Sequence, residues 1–253
     1  MNPSQTRVAI VTGSSTGIGY ETSLAMARNG FRTYATMRNT DKAKPLLDAA
    51  EKELLPIKVF ELDVDSDESI NNAVNRVLQE DGQIDVIVNN AGYALVGALE
   101  DLSMQEIRAQ FETNLFGAIR MMKAVLPEMR KKKSGTIVNI TSMGGRVAVP
   151  LDPAYHGTKF GLEGISESMR YETEPFGIRV ILVEPGAVRS NFWNNLKVAK
   201  GAMKPDSPYA PMISGLQDAV GRTVHDSFPP ASVASHRRGS HGRKAAPKVH
   251  CRR

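Results

Sequence analysis

A single cysteine in 253 residues, Cys251, leaves the chain without a disulfide framework or a thiolate metal cluster, and it does not stand in the four-residue prenylation position. Long apolar runs are missing too. Nothing approaches the ~20 residues needed to cross a bilayer, and the stretch ending at Thr12 is too short for a signal h-region. These absences predict a soluble cytoplasmic protein with no membrane and no metal. Acidic residues are absent from residues 231–253, which hold seven basic ones: Arg237, Arg238, Arg243, Lys244, Lys248, Arg252 and Arg253. Residues 1–230 then carry 25 basic against 27 acidic side chains, so the overall charge of +5 does not make the folded part a nucleic-acid binder. The basic segment also contains His236, His241 and His250, lacks apolar periodicity, and reads as a disordered, solvated extension or, alternatively, a polyanion-binding arm.

What the sequence does have is alternation. Short β-rich runs at 8–11, 33–37, 57–60, 84–88, 136–140 and 180–183 alternate with helical stretches near 18–29, 41–54, 67–80, 104–132 and 154–174. Several of the strands are apolar on both faces, as parallel strands covered by helices must be. Gly30, Gly82, Gly135 and Gly177 stand where helices would stop. The pattern predicts an α/β, doubly wound parallel sheet of Rossmann type. It also predicts one domain over residues 1–222 and a basic tail over 223–253.

The first strand runs into Thr12-Gly13-Ser14-Ser15-Thr16-Gly17-Ile18-Gly19, which opens the first helix. Glycines in such a turn let backbone amides approach a pyrophosphate at the helix N-terminus, where the dipole favours negative charge. Strand before and helix after meet the structural condition for a dinucleotide site. About twenty residues on, an acid would hold the ribose 2′-hydroxyl of NAD(H); this chain has Arg38, whose planar fork suits a 2′-phosphate. NADP(H) is therefore the favoured cofactor and NAD(H) the alternative.

Tyr155 and Lys159 are four apart in a helical stretch, with Ser142 upstream. Positions i and i+4 share a helix face, so an ammonium there can favour the ionised phenol. An ordinary solvated pair would look the same in isolation.

The turn Thr12-Gly13-x-x-x-Gly17-x-Gly19, the segment Asn89-Asn90-Ala91-Gly92, Asn114, Ser142, Tyr155-x-x-x-Lys159 and Pro185-Gly186 occur in the order and spacing of the short-chain dehydrogenase/reductases, which the chain resembles from about residue 7 to 190. The resemblance implies an NAD(P)-dependent oxidoreductase interconverting an alcohol and a carbonyl compound. It implies that Tyr155 is the general acid/base and that Lys159 lowers the Tyr155 pKa and binds the nicotinamide ribose. By the same resemblance, Ser142 donates to the substrate oxygen and Asn114 helps hold a water linking Lys159 to solvent. The alternative is an asparagine that bends or caps its helix. Carried over in the same way, cofactor contacts fall on Gly13, Ser15, Gly17, Ile18, Gly19, Arg38, Asp63, Val64, Asn90, Ala91, Gly92, Pro185, Gly186, Val188 and Ser190. Ser190 keeps the hydroxyl of the family's threonine. Asp63 would contact adenine, with an N-cap role as the alternative, for which Asp65 or Ser66 would also serve. A homodimer or homotetramer through the helices holding Asn114 and Tyr155 is implied as well.

Residues 34–38 and 159–164 look similar to the steroid- and retinol-type branch, which implies a lipophilic substrate. Its pocket would come from residues 191–222, 143–151 and 93–96, with Phe192, Trp193, Met203, Tyr209 and Met212 as an apolar lid or as core packing. After Arg222 the family pattern stops, so a C-terminal edge strand is expected to be missing, an abrupt change of the kind a frameshift or truncation produces. A different class of reading is a non-catalytic dinucleotide-binding or regulatory protein whose tail engages a polyanion.

Overall fold

The computed structural model describes residues 6–215, 227–234 and 250–252. Six parallel strands, β1 (Arg7–Thr12), β2 (Phe31–Met37), β3 (Ile57–Glu61), β4 (Val86–Asn89), β6 (Gly135–Ile140) and β7 (Ile178–Glu184), form the sheet in the order β3-β2-β1-β4-β6-β7. Helices α1 (Gly17–Arg28), α2 (Lys44–Lys52), α3 (Asp67–Asp81), α4 (Met104–Phe111), α5 (Gly117–Lys132) and α6 (Pro153–Thr173) connect them. A two-residue strand β5 (Leu95–Val96) pairs in parallel with β8 (Lys197–Val198), away from the main sheet. The doubly wound single-domain sheet expected from the sequence is present.

Burial explains the strands. Ile10, Ile87 and Ile137 on adjacent strands are at most 1 % exposed and pack with Val77 of α3, Met121 and Val125 of α5 and Leu162 of α6. The opposite face is covered in two patches: Leu24, Ala35, Met37 and Leu46, and then Val11, Val88, Ile140, Val183 and Ile18. Fully burying one such side chain is worth ~1.5–3 kcal/mol, which is why near-continuous apolar runs settle into the middle of the sheet.

Three local expectations change. The strand read from residue 84 begins at Val86, because the Asp85 carboxylate takes a ladder position: it accepts from the Val8 amide at 2.7 Å. The long helical stretch 104–132 breaks into α4 and α5 around a π-helical turn, Glu112–Phe116, centred on Asn114. Gly135 does not stop α5. Lys133 does so in the left-handed conformation (φ 53°), whereas Gly135 opens β6 where a Cβ would lie 2.4 Å from the Met129 sulfur.

The edge of β7 carries no parallel strand among the described residues. A three-residue strand, β9 (His250–Arg252), lies antiparallel along it. Within the segment read as a tail, residues 227–234 return to the domain: Phe228 bridges Val188, the Arg189 amide donates to the Phe228 carbonyl at 2.6 Å, and Val233 is buried in the cluster containing Val188 and Ile18. Most of the basic side chains of that segment, and the expected polyanion arm, lie outside the described residues. Among those described, no helix is long and apolar enough to cross a membrane and no three His, Cys, Asp or Glu side chains gather as a metal site.

Candidate active site

The strand order reverses between β1 and β4, and a crevice therefore opens at their carboxyl ends. Gly13 and Gly17 take positive φ there (68° and 63°), a conformation that L side chains rarely hold. Space is equally restrictive. A Cβ on Gly19 would lie 2.4 Å from the Gly13 carbonyl oxygen and 2.5 Å from Asn90 Nδ2, and one on Gly13 would lie 2.9 Å from Ala91 Cα. The turn is braced from β4: the Thr12 hydroxyl accepts from the amides of Asn90 and Ala91 at 2.9 and 3.0 Å, and Asn90 Nδ2 donates to the Thr12 and Gly13 carbonyls. Thr16 precedes α1 without a side-chain cap, and the first turn has no acidic residue. Uncapped first-turn amides above a glycine cradle fit the pyrophosphate of a dinucleotide. Ser15 is half-buried in the turn, while Ile18 points into the core.

Arg38 is exposed just beyond β2, and its charge reaches Asp65 and Tyr93. Ser66 caps α3 by accepting from the Ser69 amide at 3.2 Å, so Asp63 is not that cap; its Oδ1 accepts from the Asp65 amide at 3.1 Å. Val64 is buried against Gly117, and Gly92 lies where a Cβ would be 3.1 Å from Asn114 Oδ1.

Ser142 follows β6 directly, and α6 brings Tyr155 and Lys159 up to it. Lys159 Nζ donates to the Ile140 carbonyl at 2.9 Å and sits 5.7 Å from the centre of the Tyr155 ring. Burial pushes the Tyr155 phenol up to about 12; a hydrogen bond with the Ser142 hydroxyl opposes this, and the charge of Asp152 adds to it. Burial also pushes the Lys159 amine down to about 8, opposed by the charge of Glu163. The net shift of Tyr155 is upward, opposite to the lowering expected from the i, i+4 ammonium, because burial dominates and chain spacing reports proximity but not desolvation. Asp152, just before α6, is likewise raised by burial, to about 6.

Asn114 is 2 % exposed and fully engaged: its Oδ1 accepts from the Tyr93 amide at 3.0 Å, and its Nδ2 donates to the Tyr93 carbonyl at 2.8 Å and to Thr158 Oγ1 at 3.3 Å. Thr158 in turn donates to the Tyr155 carbonyl at 2.7 Å. The π turn thus ties α6 to the strand-end loop at Tyr93, as π bulges at functional sites often do.

The loop after β7 closes the crevice. The Pro185 carbonyl accepts from the Met143 amide at 3.0 Å, and Gly186 gives room to the Met143 sulfur. Val188 is buried, and Ser190 lies where its Cβ would be 3.3 Å from a Cβ on Gly17. Of the apolar residues expected beyond it, Phe192 stands 6.0 Å from the Tyr155 ring, and Trp193 is turned to donate to the Val188 carbonyl. Tyr209 packs with Val96, Ala98 and Leu151, whereas Met203 and Met212 remain exposed. The β5–β8 pair fastens this covering segment to the loop after β4.

Thr158 and His156 were not anticipated as parts of the site, Thr12 only as the start of a motif, and Tyr93 only as part of the pocket stretch 93–96, not as the partner of Asn114. Thr158 lies inside the Tyr155-to-Lys159 spacing and His156 next to Tyr155, so both could have been flagged by position. Tyr93 acts mainly through its backbone and gives no side-chain signal.

A family model described as short chain dehydrogenase matches residues 7–200. The chain is 36 % identical over 196 residues to a 3-ketodihydrosphingosine reductase of Bacteroides thetaiotaomicron, an alignment covering 78 % of this chain and 69 % of the relative. It is 42 % identical over 195 residues to human retinol dehydrogenase 8, covering 75 % of this chain and 61 % of that protein, so it spans about three fifths of the latter's length. A short-chain dehydrogenase of Streptomyces avermitilis, solved by crystallography, superposes with a TM-score of 0.79 at 34 % identity, covering 91 % of this chain and 82 % of that one.

Proposed function

The chain belongs to the short-chain dehydrogenase/reductase family, oxidoreductases that bind an NAD(P) dinucleotide, and on that premise we propose that it is an NADP(H)-dependent enzyme interconverting a lipophilic alcohol and its ketone or aldehyde. The observation that carries the reading is the meeting of Ser142, Tyr155 and Lys159 at the mouth of the glycine-lined crevice, with Phe192 across from the phenol. A non-catalytic role is not favoured, since the named relatives above are reductases and dehydrogenases.

The dinucleotide, when bound, supplies or accepts the hydride. Gly13, Ser15, Gly17, Ile18 and Gly19 would hold its pyrophosphate, Asp63 and Val64 the adenine side, and Asn90, Ala91 and Gly92 the middle of the crevice. Pro185, Gly186, Val188 and Ser190 would form the nicotinamide edge. Arg38 would pair with a 2′-phosphate, the basis of the NADP(H) preference. In reduction Tyr155 gives its phenolic proton to the carbonyl oxygen, and in oxidation it takes the hydroxyl proton back. A phenol raised to about 12 is protonated at neutral pH, the state that reduction requires. Ser142 donates a hydrogen bond to the same oxygen and stabilises the charge that develops on it. Lys159 holds the ribose and returns a proton to Tyr155, and Asn114 fixes the turn beside it, where a water would connect Lys159 to solvent. Phe192 across from the Tyr155 ring supports the lipophilic class of substrate, as does the likeness to a retinol dehydrogenase. Exposed Phe116, in the π turn that leads into α5, and Phe160 on α6 support assembly into a dimer or tetramer through those helices.

The test combines turnover with nicotinamide fluorescence. Tyr155→Phe should lose at least about 100-fold in kcat on a panel of lipophilic ketones and aldehydes while binding NADPH within about twofold of the parent. Undiminished turnover would refute the assigned chemistry. Arg38→Asp should move preference from NADPH toward NADH, and tighter NADH than NADPH binding in the parent would overturn the cofactor assignment.

A further inference from the structure

His156 stands next to Tyr155 but faces away from the crevice, is 7 % exposed, and has both ring nitrogens engaged by backbone. The Val149 amide donates to Nε2 at 3.0 Å, and Nδ1 lies 2.7 Å from the Gly144 carbonyl oxygen. An amide can only donate and a carbonyl can only accept, so these partners select the neutral ring with its hydrogen on Nδ1. An imidazolium would bring a second N–H against the Val149 amide. The ring therefore spans the loop 142–149 as a rigid strut, gripping it at two points five residues apart.

That loop carries Ser142, and the grip reaches its hydroxyl in one further step. The Gly144 amide donates to Ser142 Oγ at 2.9 Å. With Oγ engaged as an acceptor, the serine hydrogen is left to point at another group. His156 thus fixes the carbonyl of the same residue whose amide fixes Ser142. The packing is close: a Cβ on Gly144 would lie 3.0 Å from His156 Nδ1 and 3.2 Å from Tyr155 Cε1, so strut, loop and phenol share one contact. Met143, Val147 and Val149 are exposed apolar side chains, so the loop is held through the strut, the Met143 amide on the Pro185 carbonyl and the Arg146 ion pairs with Glu163 and Glu184, of which the strut alone reaches the residue that fixes Ser142 Oγ.

We propose that His156, as its Nδ1–H tautomer, is a positioning residue that sets the loop 142–149 so that Ser142 presents its hydroxyl hydrogen to the reacting oxygen. The proposal rests on the reading of Ser142 and Tyr155 given above. Its consequence is a dependence of turnover on His156 that passes through Ser142 and not through the cofactor site.

A double-mutant cycle separates the two layers. Using the fastest carbonyl compound in the panel with NADPH, His156→Phe should lower kcat about 10- to 100-fold, the cost of a misplaced catalytic group, with the NADPH Kd unchanged within about twofold. In a Ser142→Ala background the same substitution should cost less than about threefold, because the group it positions is gone. His156→Asn can place its amide N–H near the Nδ1 position toward Gly144 and should retain more kcat than His156→Gln, whose longer amide reaches the Nε2 position, offers its oxygen to the Val149 amide and leaves the Gly144 carbonyl unpaired. These two variants carry the test if the phenylalanine variant does not fold. Nitrogen-15 NMR of labelled histidine, assigned by difference with His156→Asn, should report a protonated Nδ1 and a bare Nε2 at neutral pH. Full additivity with Ser142→Ala, an unchanged kcat, Gln outperforming Asn, or an Nε2–H tautomer would each overturn the proposal. Should Ser142→Ala itself be without effect, or no panel compound turn over, the reading of the site fails and the strut falls with it.

Discussion

Replacing Lys159 with methionine should make the protein inactive and, at neutral pH without cofactor, more stable. The Lys159 amine is 6 % exposed, and burial takes it from an ordinary value of 10.5 to about 8. At ~1.4 kcal/mol per pH unit, that gap means keeping the cation in the fold costs about 3 kcal/mol below pH 8. Between pH 8 and 10.5 the unfolded chain holds more protons than the folded one, so this cost fades as pH rises. Methionine has a similar unbranched shape and carries no charge to desolvate. It also abandons the 2.9 Å bond to the Ile140 carbonyl, and leaving that oxygen unpaired costs ~1–2 kcal/mol. The net gain is about 1–2 kcal/mol at pH 7, a rise in Tm of roughly 2–8 °C for a chain of this size. By pH 10 the remaining cost is below ~1 kcal/mol, and the variant should be no more stable than its parent. Thermal unfolding followed by circular dichroism at pH 7, 8.5 and 10 measures this, and NADPH consumption measures turnover. An equal or lower Tm at pH 7, or a gain that is the same at pH 7 and pH 10, would show that the ammonium is not held at a desolvation cost. A destabilised cation retained beside Tyr155 is what a trade of stability for activity looks like.

Two other perturbations test neighbouring parts of the argument. Gly19→Ala places a methyl 2.4 Å from the Gly13 carbonyl and should weaken NADPH binding at least about 10-fold by fluorescence titration, because the obstacle is backbone and cannot swing aside. Affinity equal to the parent's would remove the turn from the cofactor site. Arg146→Met strips the cation shared by Glu163, Glu167 and Glu184, of which Glu163 and Glu184 are buried, and should cost ~3–5 kcal/mol in urea unfolding at pH 7. Burial already holds the Glu163 carboxyl above its usual range. Its protonation as pH falls relieves the unpaired charge, so the loss should shrink toward pH 5; a loss that grows on acidification refutes the account.

The site is organised around connections that cross the fold. Thr12 and Asn90 lock the glycine turn to the end of β4, Asn114 locks the loop after β4 to α6, and Ser190 lies against Gly17 at the start of α1. Each brings a crevice wall to a fixed distance from Tyr155. The segment that would cover a substrate is secured more lightly, by the β5–β8 pair and by contacts such as the Ser207 hydroxyl with Asp101 and Tyr209 with Glu100. Such surface contacts are each worth little, which suits a covering that must admit and release a ligand.

The sequence by itself determined what depends on spacing along the chain. The period of two followed by 3.6 required a covered parallel sheet. The glycines at 13, 17 and 19 required a backbone turn at the start of a helix, and Tyr155 and Lys159 had to share a helix face. Only the tertiary structure decided what depends on which groups are brought together and which water is removed. It turned Tyr155 upward and Lys159 downward in pKa, because desolvation is a property of the packed surroundings and not of an i, i+4 interval. It opened the helical stretch 104–132 into a π turn at Asn114, where bonds to Tyr93 and Thr158 outweigh one turn of regular helix. It also made His156 a strut between Gly144 and Val149, partners that no sequence spacing marks, since both contribute backbone atoms alone.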